Sequence, residues 1–75
     1  AHSGREITAH IPGKVAATPV RVGDHVSAGQ VILVLDSMKM EHPIKAPSAG
    51  TVKELPNATG ALVQAGAILA IIEDD

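Results

Sequence analysis

The 75-residue chain contains no cysteine, phenylalanine, tyrosine or tryptophan, and it has no excess of positive charge. Without cysteine it forms no disulfide, no thiolate metal site and no thiol nucleophile. Without aromatic rings it lacks the platforms on which single-stranded nucleic acids stack. Six basic against eight acidic residues leave no positive stripe for a phosphate backbone. These absences exclude thiol chemistry and predict that the chain does not bind nucleic acid.

Long apolar segments are missing as well. Apolar runs such as Val31 to Leu35 are far shorter than the ~20 residues that a membrane-spanning helix needs. No secretory signal is visible at the start of the chain. We therefore expect no membrane contact.

The apolar residues that are present are small or branched: Val, Ile and Leu supply 20 residues and Ala another 12. A chain of this length buries only about 60% of the surface that its unfolded form exposes, so we expect modest stability around one compact core. Residues 1–5 are predicted to be a linker or a remnant of cloning, and residues 6–75 a single domain.

The chain repeats itself at a spacing of 37 residues, with nine identities over 32 ungapped positions that begin at Ile7. The identical pairs are Ile7 with Ile44, Ala9 with Ala46, Gly13 with Gly50, Val15 with Val52, Pro19 with Pro56, Gly23 with Gly60, Val26 with Val63, Ala28 with Ala65 and Gly29 with Gly66. A repeat of this kind predicts one structural unit that occurs twice.

Each copy is predicted to contain four short strands, because β-branched segments alternate with turn residues. The expected strands are residues 7–11, 14–22, a short strand at 26, and 31–36, followed by 44–46, 51–55, 62–64 and 68–73. Structural turns are expected at Gly13, Gly23, Gly29, Gly50, Gly60 and Gly66. No segment combines ten residues free of Gly and Pro with helical spacing of apolar residues, so no substantial helix is expected. Neither copy could bury both faces of its strands alone, which predicts an all-β flattened barrel or two-sheet sandwich with two-fold quasi-symmetry.

The segment between the copies, residues 36–41, breaks the repeat. It is expected to form a tight hairpin, although its turn has no Gly or Asn, which short primed turns prefer. Met38 and Met40 are the only methionines and flank Lys39. Flexible, polarisable side chains suit a surface that adapts to a partner. The alternative is that they plug the end of the barrel.

Lys39 is expected to project from this turn. A catalytic base or Schiff-base lysine needs burial, which a tip in so short a chain does not offer. An exposed lysine amine is either an ordinary solvated side chain or a handle for covalent modification.

The sequence shows no catalytic constellation. Its histidines have no metal-binding spacing, and neither a Gly-x-Ser-x-Gly elbow nor a phosphate-binding glycine loop occurs. The histidines are His2, His10, His25 and His42. We expect no metal site and no catalytic residue.

Residues 37–40, Ser-Met-Lys-Met, resemble the Met-Lys-Met signature of biotinyl domains, the biotin carboxyl carrier modules of biotin-dependent carboxylases. The resemblance extends from about Ile7 to Glu73 and includes residues 12–15, 28–30 and 46–52. It implies a barrel-sandwich hybrid of two four-stranded antiparallel sheets with the attachment lysine on a hairpin turn. It also implies that biotin, the cofactor, is joined covalently to Lys39.

The same resemblance implies the partners. A biotin-protein ligase would modify Lys39 and recognise Ser37, Met38, Met40 and Glu41. A biotin carboxylase and a carboxyltransferase would then load and unload the carrier, with an acyl-CoA, pyruvate or a similar compound as acceptor. The isolated domain would be a monomer without activity of its own. It would serve an ATP-using, ligase-type complex in the cytoplasm, or in the mitochondrial matrix of a eukaryote.

Two departures from the family and two alternatives accompany this interpretation. Ser37 stands where many relatives have Ala, and residues 15–22 are too few for the protruding thumb loop of some bacterial carriers.

A lipoyl carrier domain of a 2-oxo acid dehydrogenase complex is one alternative, although such domains usually place Asp before and Ala after the lysine. An unmodified adaptor module of the same fold is the other. Asp36 and Glu41 are interpreted as hairpin ends that keep the tip soluble.

Overall fold

The computed structural model describes residues 5–74, which form eight strands and no helix. The strands are β1 (Arg5–Thr8), β2 (Gly13–Ala17), β3 (His25–Val26), β4 (Val31–Ser37), β5 (Met40–Lys45), β6 (Gly50–Glu54), β7 (Leu62–Val63) and β8 (Ile68–Asp74). Arg5, which the sequence assigns to the linker, is instead the first residue of β1 because it pairs with Ile72 of β8. The rest of the predicted linker lies outside the described residues.

The strands form two four-stranded antiparallel sheets, in the orders β1-β8-β6-β3 and β5-β4-β2-β7. Each sheet takes two strands from each copy of the repeat. The predicted fold class, an all-β barrel-sandwich with two-fold quasi-symmetry, is therefore confirmed.

The bounds of the strands follow the repeat residue by residue. Adding 37 to the bounds of β2, β3 and β4 gives those of β6, β7 and β8. Backbone hydrogen bonds between the copies obey the same rule: the Gly23 N–H donates to the Val52 carbonyl at 2.8 Å, and the Gly60 N–H donates to the Val15 carbonyl at 2.7 Å. The exception is β5. Adding 37 to the bounds of β1 gives residues 42–45, but β5 begins two residues earlier because it continues into the hairpin.

Two strands end several residues earlier than predicted. The strand expected at residues 7–11 ends at Thr8, where the pairing register with β8 shifts. The strand expected at residues 14–22 ends at Ala17, and Pro19 just beyond it has no N–H to give to a ladder. Val20 lies outside any strand but is buried, so the connection between β2 and β3 also contributes to the core.

The six glycines that are expected in turns divide into two groups. Gly23, Gly29, Gly60 and Gly66 have φ between 85° and 98° in turns, as expected. Gly13 and Gly50, which were also expected in turns, are instead the first residues of β2 and β6. A Cβ at Gly13 would lie 2.8 Å from the Asp36 carbonyl oxygen, so the close approach of β4 requires glycine there rather than a turn.

The core is built from aliphatic side chains of both copies, and within residues 5–74 no polar or charged residue is buried. The largest fully buried side chains are Val15, Val26, Ile32, Leu33, Leu35, Val52, Leu69 and Ile72. Most of them form repeat-related pairs, such as Ile32 with Leu69. The repeat is broken where buried Val20 corresponds to Asn57, whose Nδ2 donates to the Ile68 carbonyl at 2.7 Å.

A cluster of polar side chains joins the first and last described strands. The Arg5 Nε lies 2.9 Å from Asp74 Oδ2, and the Ser48 hydroxyl donates to Asp74 Oδ1 at 2.8 Å. Ser48 follows β5, whose six residues extend about 20 Å from the β4–β5 turn. Arg5 and Asp74 therefore lie at the end of the domain opposite that turn.

Two leucines provide a test of this core. Leu69 is fully buried and Leu62 is 82% exposed. Leu69→Ala should lower the free energy of unfolding by about 2–5 kcal/mol, because it leaves a cavity. The same change at Leu62 should stay within about 0.5 kcal/mol of the parent. Urea unfolding followed by circular dichroism measures both, and equal losses would contradict the burial assigned here.

Candidate functional site

The two copies of the repeat are joined by a tight hairpin. β4 and β5 pair from Val31 with Lys45 to Ser37 with Met40, and only Met38 and Lys39 lie between the strands. Their φ angles are 51° and 67°. Positive φ at both central residues is the geometry of a type I′ turn, which matches the twist of the flanking strands.

This turn uses residues that do not favour it. Within residues 5–74, Met38 and Lys39 are the only non-glycine residues with positive φ. Such residues cost on the order of 1–3 kcal/mol each and persist where surrounding structure holds them. Here the ladder between β4 and β5 supplies that support. Because Asn-Gly would be the favourable choice, the strain indicates that the side chains at the tip are needed for function.

The side chains at the tip point into solvent. Met38 is 92% exposed and Met40 is 63% exposed, so the alternative in which they plug the end of the barrel is wrong. Lys39 is exposed too, and none of the described residues forms a hydrogen bond or an ion pair with it. Its primary amine stands free at a strand-to-strand reversal.

Charged side chains form a row below the tip. Lys14 of β2 lies opposite Asp36 of β4, and Asp36 lies opposite Glu41 of β5. Residues directly opposite on neighbouring antiparallel strands share a face. Two carboxylates therefore lie side by side, with one cation next to Asp36. Glu41 is exposed and Asp36 half-buried, which agrees with their interpretation as soluble hairpin ends.

A shallow groove of about 420 Å³ runs beside the tip. Its lining includes Met38 of the turn, Lys14 of β2 and Leu62 of β7. Leu62 is not among the site residues predicted from the sequence. The repeat contains the relevant signal, because the equivalent position in the first copy is occupied by His25.

Other kinds of site are not supported by the described part of the chain. Across residues 5–74 there is no group of three histidine or carboxylate side chains that could hold a metal ion. Nor does this part contain a helix with the length and apolar character to cross a membrane.

Known proteins share this geometry. The family model described as "Biotin-requiring enzyme", which covers biotin and lipoyl attachment domains, matches residues 5–72. The chain belongs to the family of biotin carboxyl carrier domains. Biotin is accordingly its cofactor, and the residues present fit it, because an exposed primary amine on a turn is open to covalent attachment.

Relatives differ in how much of their length this carrier domain represents. A biotinylated protein TB7.3 homolog of Mycobacterium leprae is 37% identical over 67 residues, which are 89% of this chain and 94% of that protein. The mitochondrial methylcrotonoyl-CoA carboxylase subunit alpha of Dictyostelium discoideum is 44% identical over 62 residues, 83% of this chain but only 9% of that protein. The crystal structure of Kluyveromyces lactis urea carboxylase matches with a TM-score of 0.89 and 27% identity, over 97% of this chain and 6% of that one.

The strain at the turn gives a prediction about stability. Met38→Asn should raise the free energy of unfolding by about 0.5–1 kcal/mol, because Asn tolerates positive φ better than Met. Met40→Asn is the matched control: it also replaces an exposed methionine, but in β5 and without positive φ. Denaturant midpoints of both variants measure the difference. A gain at Met40, or none at Met38, would contradict the strain.

Proposed function

We propose that the carrier domain holds biotin as an amide on Lys39 Nζ. The observation that carries this proposal is the exposed lysine in a strained I′ turn between two exposed methionines. The exposed Lys14, Lys45 and Lys53 lie within β-strands and not on a turn. Lys39 alone among these four stands on a protruding turn that can enter an active-site cleft.

Attachment requires little from the carrier beyond presentation of the amine. The Lys39 nitrogen attacks the carboxyl carbon of biotin, loses a proton and forms an amide bond, while the carboxyl group gives up an oxygen-bearing leaving group. The carboxyl group must first be activated with ATP, which releases pyrophosphate, and the oxygen that the carboxyl group loses then leaves with AMP. A biotin-protein ligase supplies this activation. No residue near the tip needs to act as a catalyst.

The ligase recognises the hairpin through the side chains that surround the amine. Met38 and Met40 offer flexible apolar surface on either side of Lys39. Ser37 and Met40 form the last pair of the ladder and fix the direction of the turn. Glu41 contributes an exposed carboxylate that helps to orient the ligase.

Once biotin is bound, it supplies a ring nitrogen that accepts a carboxyl group and later gives it up. The domain contributes a stiff mount and the lysine side chain a flexible tether. Tethering raises the effective concentration of the ring at each active site that the domain visits. Arg5 and Asp74 lie at the end of the fold opposite the tip.

The carrier serves two active sites in an ATP-using, ligase-type complex. A biotin carboxylase loads the carboxyl group, and a carboxyltransferase passes it to an acyl-CoA or a comparable acceptor. Relatives named as methylcrotonoyl-CoA carboxylase, pyruvate carboxylase and urea carboxylase support this class of partner. A monomeric domain in the cytoplasm, or in the mitochondrial matrix of a eukaryote, fits these partners.

Substitution of the lysine tests the attachment site. Lys39→Arg should abolish labelling by biotin-protein ligase, biotin and ATP, because the guanidinium is not an effective nucleophile. Lys45→Arg, which alters an exposed lysine of β5, should label like the parent. Intact-mass spectrometry detects the adduct, and circular dichroism should show the same fold in all three proteins. A biotinylated Lys39→Arg variant would assign the site elsewhere.

The choice of cofactor has its own test. Co-expression with a lipoate-protein ligase should give no adduct, because Met38 and Met40 stand where lipoyl domains usually carry Asp and Ala. The same mass measurement should show complete modification with the biotin enzyme. An adduct of lipoyl mass, with none of biotin, would reverse this choice, and no adduct with either enzyme would favour an unmodified adaptor.

A further inference from the structure

Most of the large apolar side chains exposed to solvent lie at the hairpin end of the domain, whereas Val22 lies next to Gly23, which bonds to Val52 of β6. Within residues 5–74 the exposed large apolar side chains are Val22, Met38, Met40 and Leu62, with exposed fractions of 60%, 92%, 63% and 82%. Met38 and Met40 flank the attachment lysine. Leu62 is distant from them in sequence, yet it lines the same groove as Met38. The groove therefore extends the apolar surface of the tip across β2 to β7.

The repeat shows that the fold does not require this leucine. β3 and β7 are equivalent two-residue strands, and each buries its valine, Val26 or Val63. The residue before that valine is His25 in β3 and Leu62 in β7, and both are exposed. The same backbone thus accepts a polar side chain at this position.

The cross-strand neighbour of Leu62 differs between the copies in the same way. Leu62 pairs with Lys14 of β2, and the equivalent pair in the other sheet is His25 with Thr51. Near the attachment lysine the row therefore reads leucine, lysine and aspartate, with Lys14 between Leu62 and Asp36. An apolar side chain beside an exposed cation suits a protein surface that offers an apolar contact and a carboxylate.

The reach of the lysine side chain indicates which partner covers this surface. An enzyme that modifies Lys39 must reach a nitrogen at the end of a four-carbon stem, so its surface comes against the turn itself. The carboxylase active sites meet a ring that lies farther out, beyond the added length of biotin's own chain. The enzyme that attaches biotin must therefore contact Met38 and the groove that Met38 lines. The enzymes that transfer the carboxyl group have less need of that contact.

We propose that Leu62, together with Lys14 and Met38, forms a second contact surface for the biotin-protein ligase, outside the hairpin. This inference rests on the proposed attachment at Lys39. Leu62 supplies an apolar anchor on β7, and Lys14 pairs with a carboxylate of the ligase. The surface binds the ligase and takes no part in the chemical step.

The repeat itself provides the test variant. Leu62→His introduces the residue that occupies the equivalent position, so the fold should be retained. The full apo chain is biotinylated with biotin-protein ligase, biotin and ATP, and initial rates are measured at varied carrier concentrations. Loss of one apolar side chain that becomes buried against the ligase should lower kcat/KM about tenfold. The change should appear in KM with kcat preserved, because the amine is presented as before.

Two further variants, one a control and one a second test of the surface, complete the experiment. Val22→Thr also removes an exposed apolar side chain, introduces the residue of the equivalent position, Thr59, and lies outside the groove. It should be biotinylated like the parent. Lys14→Thr, which introduces the residue of position 51, should raise KM at low salt, and this difference should diminish as salt screens the charge.

The outcomes separate this inference from the proposed function. Normal kinetics for Leu62→His, with labelling still confined to Lys39, overturn the second contact surface and leave the attachment site intact. Labelling of Lys39→Arg overturns the attachment site itself. Normal biotinylation of Leu62→His combined with slow carboxylation of its biotinylated form assigns the groove to the carboxylase instead. NMR amide shifts at Leu62 that differ between the apo and the biotinylated chain, together with normal ligation kinetics, would assign the groove to the cofactor. Assignment of the groove to the carboxylase or to the cofactor overturns the proposal.

Discussion

The structure depends on the exchange of strands between the two copies of the repeat. Each sheet contains two strands from each copy, and the hydrogen bonds of Gly23 to Val52 and of Gly60 to Val15 tie the copies together in reciprocal fashion. Neither copy has a complete sheet alone, so strand pairing and burial of the aliphatic core must form together. This mutual dependence explains how a chain without aromatic residues folds: the buried aliphatic side chains of both halves form one core.

The attachment hairpin takes advantage of this arrangement at the one place where the copies are joined covalently. β4 lies inside its sheet, between β5 and β2, so the strand that leads to Met38 and Lys39 is held from both sides. Gly13 lets β2 approach Asp36 closely, just before the turn. The support of two neighbours makes it possible to keep two non-glycine residues at positive φ, where Asn-Gly would be easier for the backbone. The stability of the sheet is thereby used to hold the lysine and its methionines in place.

The sequence was enough to predict the repeat, its eight short strands and a lysine on the turn between the copies, because paired glycines and β-branched runs recur 37 residues apart. The division into two four-stranded sheets was implied by the resemblance to biotinyl domains. The sequence was not enough for the ends of strands: β1 stops at Thr8 through a register shift, and Arg5 joins β1 through pairing with Ile72. Such pairings depend on residues far away in the chain. The prediction of a turn at Gly13 was wrong for a related reason, because a glycine required by a close contact with β4 cannot be distinguished in the sequence from a glycine required by a turn. Leu62 was missed because its contrast with His25, the equivalent residue of the first copy, gains a functional meaning only once the groove beside Met38 is visible.

The two ends of the domain are equivalent in fold and different in chemistry. At the end opposite the tip, Arg5, Ser48 and Asp74 form polar contacts that fasten β1 to β8. At the tip end, the hairpin exposes Met38, and β7 adds the exposed Leu62 beside it. Since the same backbone serves both ends, this difference reflects the side chains and not the constraints of folding. A duplicated unit can therefore keep one end for fastening and develop the other for recognition, because substitutions at exposed positions leave the shared core unchanged.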